Sequence, residues 1–363
     1  ADGDFAFILF GMRRGGMTYR MLDVSDKNNP VLVWERRLNE AGQSWSSPVV
    51  TRMDISDAGQ NDMKAVVVLG GGYDGVHDTA TFNPAIDRLG AGIHVIDLMD
   101  GTTLWRAGHT STEADLKLAR MTRSIPTRIK VVDINGDGFA DRMYTADMGG
   151  QLWRFDISNG NPAASVVTGG VIARFGAEGL DTPTAADTRR FYNAPDVAMF
   201  NDVRQNRRFI SVSIGSGYRA HPLDLRAADR FYSLRDPNVF NSLTQAEYDT
   251  LVPFTESDLI DVSGQVDVTV TAEDAGWMLT LPPNEMVLAD SVTFNDEVFF
   301  VSFSPDKDAA DACTPGQGTN RLWRMSIING DPIVDNIGDI QTGEEDNARR
   351  TELAQGGIAP TPQ

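Results

Sequence analysis

"GGQLWRFDI", residues 149–157, decides the fold of this chain. A glycine pair closes a turn, and apolar and polar side chains then alternate around a tryptophan, the period-two pattern of a strand with one buried face. The unit returns as "NPVLVWERR" at 29–37, "GTTLWRAG" at 101–108 and "TNRLWRMSI" at 319–327. Apolar strands run upstream of these units, among them "AVVVLGGG" at 65–72, "RFISVSIGSG" at 208–217 and "EVFFVSF" at 297–303. Further upstream stands a lead that pairs a small residue with proline: "SSPVV" at 46–50, "SIPTRI" at 124–129 and "NAPDVAMF" at 193–200, with "ADSVTF" at 289–294 as a variant without the proline. Proline at a strand's first residue forgoes only an edge donor.

Short strands in a recurring order, each unit carrying a bulky aromatic, imply an all-β chain built as a β-propeller, whose sheets bury both faces against their neighbours. A two-sheet sandwich accounts for the strands but not for the tryptophan period. Trp34, Trp105, Trp153 and Trp323 are then core residues between blades. Five units can be marked, and at roughly 50 residues per blade the 363 residues hold about seven, two of them degenerate and expected at 160–190 and 235–275. The first unit lacks a lead, while "IAPTPQ" at 358–363 is a lead without a blade. A single domain over 1–363 is therefore expected, closed by pairing of this last segment beside Phe5–Phe10. Two short helical insertions are expected from capping boxes, one in "TSTEADLKLARM" (Thr110 to Glu113) and one in "TQAEYDTL" (Thr244 to Glu247).

With 51 acidic against 32 basic residues the formal charge is −19. A nucleic acid partner is excluded on that ground, because phosphate binding needs clustered Lys and Arg, whereas divalent cations are favoured. No run of about 18 apolar residues is present to span a membrane. The sequence opens mid-strand at "DFAFILF" without a basic leader, so it reads as part of a longer protein. The lone Cys313 has no internal disulfide partner. His77, His94, His109 and His221 lack metal-ligand spacing, and the glycine runs "LGGGYDG" and "GSGYRAH" open no helix, so zinc and phosphate-loop chemistry are set aside.

One loop carries chemistry. "DINGDGFAD", residues 133–141, places Asp133, Asn135, Asp137 and Asp141 at positions 1, 3, 5 and 9, and the carbonyl of Phe139 at position 7. That is the oxygen pattern of a loop that wraps Ca2+, with Gly138 at the tight turn of position 6. Position 12 is Tyr144 in place of a bidentate glutamate, and the flanks alternate like strands, so this is a hairpin loop with an incomplete shell. The competing reading is an Asx-rich turn held by its own backbone. The corresponding loop one unit earlier, "DISDAGQND" at 54–62, keeps Asp54 and Asp62 but has Ala58 at position 5.

"VIDLMDGTTLW", residues 95–105, resembles the repeat of quinoprotein dehydrogenases, and an enzyme of that class is the alternative function. The adjacent cysteine pair of many such enzymes is absent. A more extensive resemblance is to the C-terminal domain of the PilY/PilC family of type IV pilus biogenesis factors and pilus-tip adhesins. It is carried by "DINGDGFADRMYTADMGGQLWRFDI" (133–157), "MTYRMLDVSDKNNPVLVW" (17–34) and "GWMLTLPPNEMVLADSVTFNDEVFFVSF" (276–303). This resemblance implies a modified, quinoprotein-like, seven-bladed propeller without catalysis, placed at the outer membrane, cell surface and pilus tip. It implies Ca2+ on Asp133, Asn135, Asp137, Phe139 and Asp141, with occupancy setting pilus extension against retraction and so supporting twitching motility and adhesion. The partners it implies are pilin and minor pilins, and host or abiotic surfaces. No Arg-Gly-Asp tripeptide is present for integrin binding.

Overall fold

The computed structural model describes residues 5–56, 62–79, 86–202, 207–224, 226, 228–271, 273–305 and 318–362. Cys313 and Ala58 lie outside the described residues. The first sheet holds β1 (Phe7–Gly11), β2 (Thr18–Asp23) and β3 (Val31–Arg37). The second holds β4 (Val49–Asp54), β5 (Met63–Gly70), β6 (Gly92–Asp97), β7 (Thr103–Gly108) and the two-residue β8 (Leu116–Lys117). The third is β9 (Lys130–Val132), β10 (Arg142–Ala146), β11 (Gln151–Ile157) and β12 (Val167–Arg174). The fourth is β13 (Asp196–Asp202), β14 (Arg207–Gly215), β15 (Arg230–Asp236), β16 (Ile260–Asp261) and β17 (Gly276–Thr280). The fifth is β18 (Met286–Val287), β19 (Val292–Phe294), β20 (Glu297–Ser304), β21 (Thr319–Ser326) and β22 (Arg350–Leu353). Each sheet is built on an antiparallel meander, with parallel additions of β8 to β7 and β16 to β17, and in the fifth sheet both β18 and β19 pair with β20.

Successive sheets share apolar layers, as a propeller requires. Met21 and Trp34 pack with Val67, Leu69 and Ile96 between sheets one and two. Val66, Val95 and Trp105 pack with Met143, Trp153 and Phe155 between two and three. Tyr144 and Leu152 meet Ile210, Val212 and Tyr232 between three and four. Phe231 stacks on Phe300 at 3.9 Å between four and five, and Phe300 stacks in turn on Trp323 of its own sheet at 5.6 Å. The four tryptophans assigned to the core are all buried, and Trp277 on β17 is a fifth.

The described residues form five sheets, one for each unit read from the sequence, and the two further blades are not sheets. The stretch 160–190 supplies the outer strand β12 and short 3-10 turns, and 235–275 is a cover containing α1 (Gln245–Thr250) and the two residues of β16. Thr244 caps α1 in the expected box with Glu247. The other expected helix, at 110–121, is loop and β8. Asp115 explains it: its carboxylate accepts the Arg106 amide at 2.9 Å and its own amide donates to the Arg106 carbonyl at 3.0 Å, which seats the segment on the edge of β7. A helix this short has too few internal bonds to compete.

The C-terminal segment also differs from the expected closing strand. Among the described residues β1 pairs with β2 alone, and the tail is tied to the fifth sheet by the buried Asn320. Its Nδ2 donates to the carbonyls of Gln355 and Gly357 at 2.7 and 2.6 Å, and its Oδ1 accepts from the Ala359 amide at 3.3 Å. Pro360 and Pro362 remove two donors that a ladder would need.

His94 on β6 is buried with its Nδ1 unbonded, and burial, aided by the Arg106 guanidinium, pulls its pKa from 6.5 down to about 3. Folded protein therefore binds this proton more weakly than unfolded chain, so the group withdraws stability as pH falls from 6.5 toward 3. Urea denaturation at pH 7 and pH 5 is expected to show a loss of about 2 kcal/mol from this residue that His94→Gln does not show. Equal pH dependence in the two proteins would remove His94 from the acid response.

Candidate metal centre

β9 and β10 pair as Val132 with Arg142, Val131 with Met143 and Lys130 with Tyr144, and the loop 133–141 is the hairpin that joins them. Its base is fixed twice. Asp141 N donates to the Val132 carbonyl at 3.0 Å within the hairpin, and Ala140 N donates to the Arg52 carbonyl on β4 at 3.0 Å. The tip projects into solvent, with Asp133, Asn135 and Asp137 exposed and Phe139 and Asp141 half-buried. Gly136 and Gly138 take left-handed φ of 78° and 90°, which an L side chain adopts only at a cost, so the expected role of glycine at position 6 is present.

The four side-chain donors turn inward onto the loop's own amides. Asp133 accepts from Gly136 N at 2.7 Å and Gly138 N at 2.8 Å. Asn135 Oδ1 accepts from Asp137 N at 2.8 Å, and its Nδ2 donates to Asp137 Oδ2 at 3.1 Å. Asp137 Oδ1 accepts from Phe139 N at 2.8 Å, and Asp141 Oδ2 from Ile134 N at 2.7 Å. Only Asn135 and Asp137 thus touch directly. Among the described residues, no three carboxylate, imidazole or thiolate groups converge closely enough to share an ion.

The donor chemistry nevertheless fits a hard dication. Every side-chain ligand is an oxygen. A carboxylate oxygen bonded to one amide keeps a second lone pair for a cation. The loop itself carries three carboxylates and no basic side chain.

Two residues that position the loop are not evident from its own pattern. Arg52 lends its carbonyl, and Asn159 bridges the loop to the preceding sheet, with Nδ2 donating to the Ala140 carbonyl at 2.9 Å and Oδ1 accepting from Asp54 N at 2.9 Å. Asp54 in turn accepts from Asp62 N at 3.1 Å, so the ends of the degenerate copy hold each other. The Asn-Gly pair at 159–160 reads in sequence as a turn, and only the fold brings it under the loop.

No protein-family model matches the chain. Curated relatives do: the type IV pilus biogenesis factor PilY1 of Pseudomonas aeruginosa strain PAO1 is 30% identical over 165 residues, which is 44% of this chain and 12% of the relative. PilY1 of strain UCBPP-PA14 is 28% identical over 160 residues, again 12% of its length. The matched stretch thus spans about an eighth of these relatives. Among solved structures, the C-terminal domain of Pseudomonas aeruginosa PilY1 superposes with a TM-score of 0.65 at 20% identity, over 97% of this chain and 76% of that one. The fold is that of the PilY1 C-terminal domain, and the family resemblance found in the motifs is found again in both comparisons.

Asn159→Ala is expected to cost about 1 kcal/mol, for two lost hydrogen bonds that water partly replaces. It is also expected to speed amide exchange at Ile134, Gly136 and Gly138. Native exchange rates in that variant would mean that the Arg52 carbonyl alone seats the loop.

Proposed function

We propose that this chain is the propeller domain of a type IV pilus biogenesis factor whose loop 133–141 binds Ca2+ and whose occupancy biases pili toward extension. The observation that carries the reading is the oxygen pattern of "DINGDGFAD" on a blade hairpin of a PilY1-like fold. Asp133, Asn135, Asp137, Asp141 and the Phe139 carbonyl would hold the ion, which supplies positive charge at the centre of three carboxylates. The chain's own part is mechanical. The Val132–Asp141 and Arg52–Ala140 bonds hold the base still, so the change between states is confined to the tip from Ile134 to Phe139. Without the ion the carboxylates lean on separate amides and repel one another; with it they draw together, and the tip takes another shape. A pilus component, pilin or minor pilin, that prefers the gathered tip gains affinity through a coupling of about 1 to 3 kcal/mol. Placement at the cell surface and pilus tip follows from the same reading, and so does the absence of catalysis.

Titration calorimetry is expected to give one Ca2+ site with a Kd on the order of micromolar, since position 12 supplies no glutamate. Asp133→Ala and Asp141→Ala should abolish it while thermal melting of the propeller changes little. Unchanged binding in both variants would sink the site. In the intact organism Asp133→Ala should leave few surface pili while retraction is active. Normal piliation at normal protein levels would show that calcium, though bound, is no switch.

A further inference from the structure

The lead segments of sheets two to five converge on a cavity of about 180 Å3 at the centre of the blades, and the loops after β1 and β14 add to its wall. Three guanidinium groups line it, those of Arg13, Arg128 and Arg219. None of the three forms an ion pair among the described residues, in a chain of net charge −19. Some buried arginines elsewhere are matched, as Arg142 and Arg154 are by Asp156 and Asp236, whereas Arg235 is met by the Thr271 and Ile328 carbonyls. Here Arg219 donates to the Leu288 carbonyl at 2.6 Å and feels Arg13 as a like charge and Asp290 as an opposite one, Arg128 also feels Asp290, and Arg13 lies over the Trp45 ring at 5.6 Å. Asn193 also lines the cavity, and its Nδ2 is out of solvent with no acceptor. The single acid on the wall is Asp290, whose Oδ1 takes the Ala194 amide at 3.1 Å.

We infer that this cavity binds an acidic sugar unit, one ring bearing one carboxylate. Guanidinium forks and an unpaired amide are donors suited to a carboxylate. Asp290 can accept from a ring hydroxyl, and its charge disfavours a dianion such as phosphate. Trp45 and Tyr192 supply aromatic walls of the kind that flank a sugar's apolar face. The volume is small beside the roughly 300–1,000 Å3 of drug-sized pockets, which suits a single unit at the end of a chain. This inference rests on the cavity alone and does not depend on the metal loop.

The test is calorimetry of the whole 363-residue chain with D-glucuronate, D-glucose and inorganic phosphate, at constant ionic strength and with chelator present so that the loop 133–141 plays no part. Saturable one-site binding of glucuronate is expected, with glucose and phosphate each at least tenfold weaker. Arg13 and Arg128 are exposed, so the double variant Arg13→Gln, Arg128→Gln should keep a native circular dichroism spectrum and lose at least tenfold in glucuronate affinity. Absence of saturable glucuronate binding would overturn the inference. So would native affinity in the folded double variant, and phosphate binding as tight as glucuronate would reduce the site to a bare anion sink.

Discussion

The first and fourth sheets of this propeller are each tied to the next by an indole caught under one of its turns. Trp34 on β3 donates Nε1–H to the Leu98 carbonyl at 2.9 Å, and Trp277 on β17 donates to the Ile327 carbonyl at 2.9 Å. Both acceptors sit in a five-residue turn that ends in glycine, "DLMDG" at 97–101 and "SIING" at 326–330. Gly101 and Gly330 have φ of 71° and 72°, and a Cβ there would stand 2.9 and 3.3 Å from the indole Cδ2 beneath. Only glycine gives both the left-handed turn and the close approach. Trp105 is fully buried although its Nε1 has no acceptor, so the apolar contact is primary and the hydrogen bond refines it.

The interface between sheets three and four uses charge as well. Arg142 Nε meets Asp156 at 2.6 Å, Arg154 bridges Asp156 and Asp236 at 2.9 Å each, and the Tyr248 and Tyr144 hydroxyls donate to Asp156 and Asp236 at 2.7 Å. Two cations against two anions leave no net charge to bury, but spare guanidinium hydrogens remain. Carbonyls of the 235–275 segment take them: Asn238 from Arg142 at 2.7 Å and Asn241 from Arg154 at 2.7 Å. A blade would direct those carbonyls into its own ladder. The segment is irregular because its backbone completes a buried polar network that would be costly half-satisfied.

That network marks the boundary of what could be read from the sequence. The tryptophan strands, their leads, the capped α1 and the hairpin turn at 133–141 are local patterns, and each stands where its pattern put it. Blade number depended on dividing length by a repeat; among the described residues the stretches 160–190 and 235–275 form no sheet of their own, and carbonyls of the second serve Arg142 and Arg154. The helix expected at Thr110 lost to Asp115, whose partner on β7 is nine residues away. The closing strand was a lead motif without a blade; its prolines fitted the pattern and worked against the ladder. Trp277 escaped the unit because no basic residue follows it, and Asn159 and Arg52 are functional only through contacts made across sheets.

β9 joins the two places where this chain has chemistry to offer. Arg128 precedes the strand and faces the axial cavity, whereas Asp133 follows it and opens the metal loop. Five residues of extended chain separate them by roughly 16 Å, about twice the roughly 8 Å screening length at physiological salt. The proposed anion at one end and the proposed dication at the other would therefore exert little direct pull on each other. The strand itself is a poor lever, because β9 is held in register by β10, all five residues of which are buried. A change in the loop has to spread outward through its exposed tip rather than inward along β9. On the proposed reading the loop's state would be reported at its exposed tip, and the cavity would recognise its proposed ligand in either state.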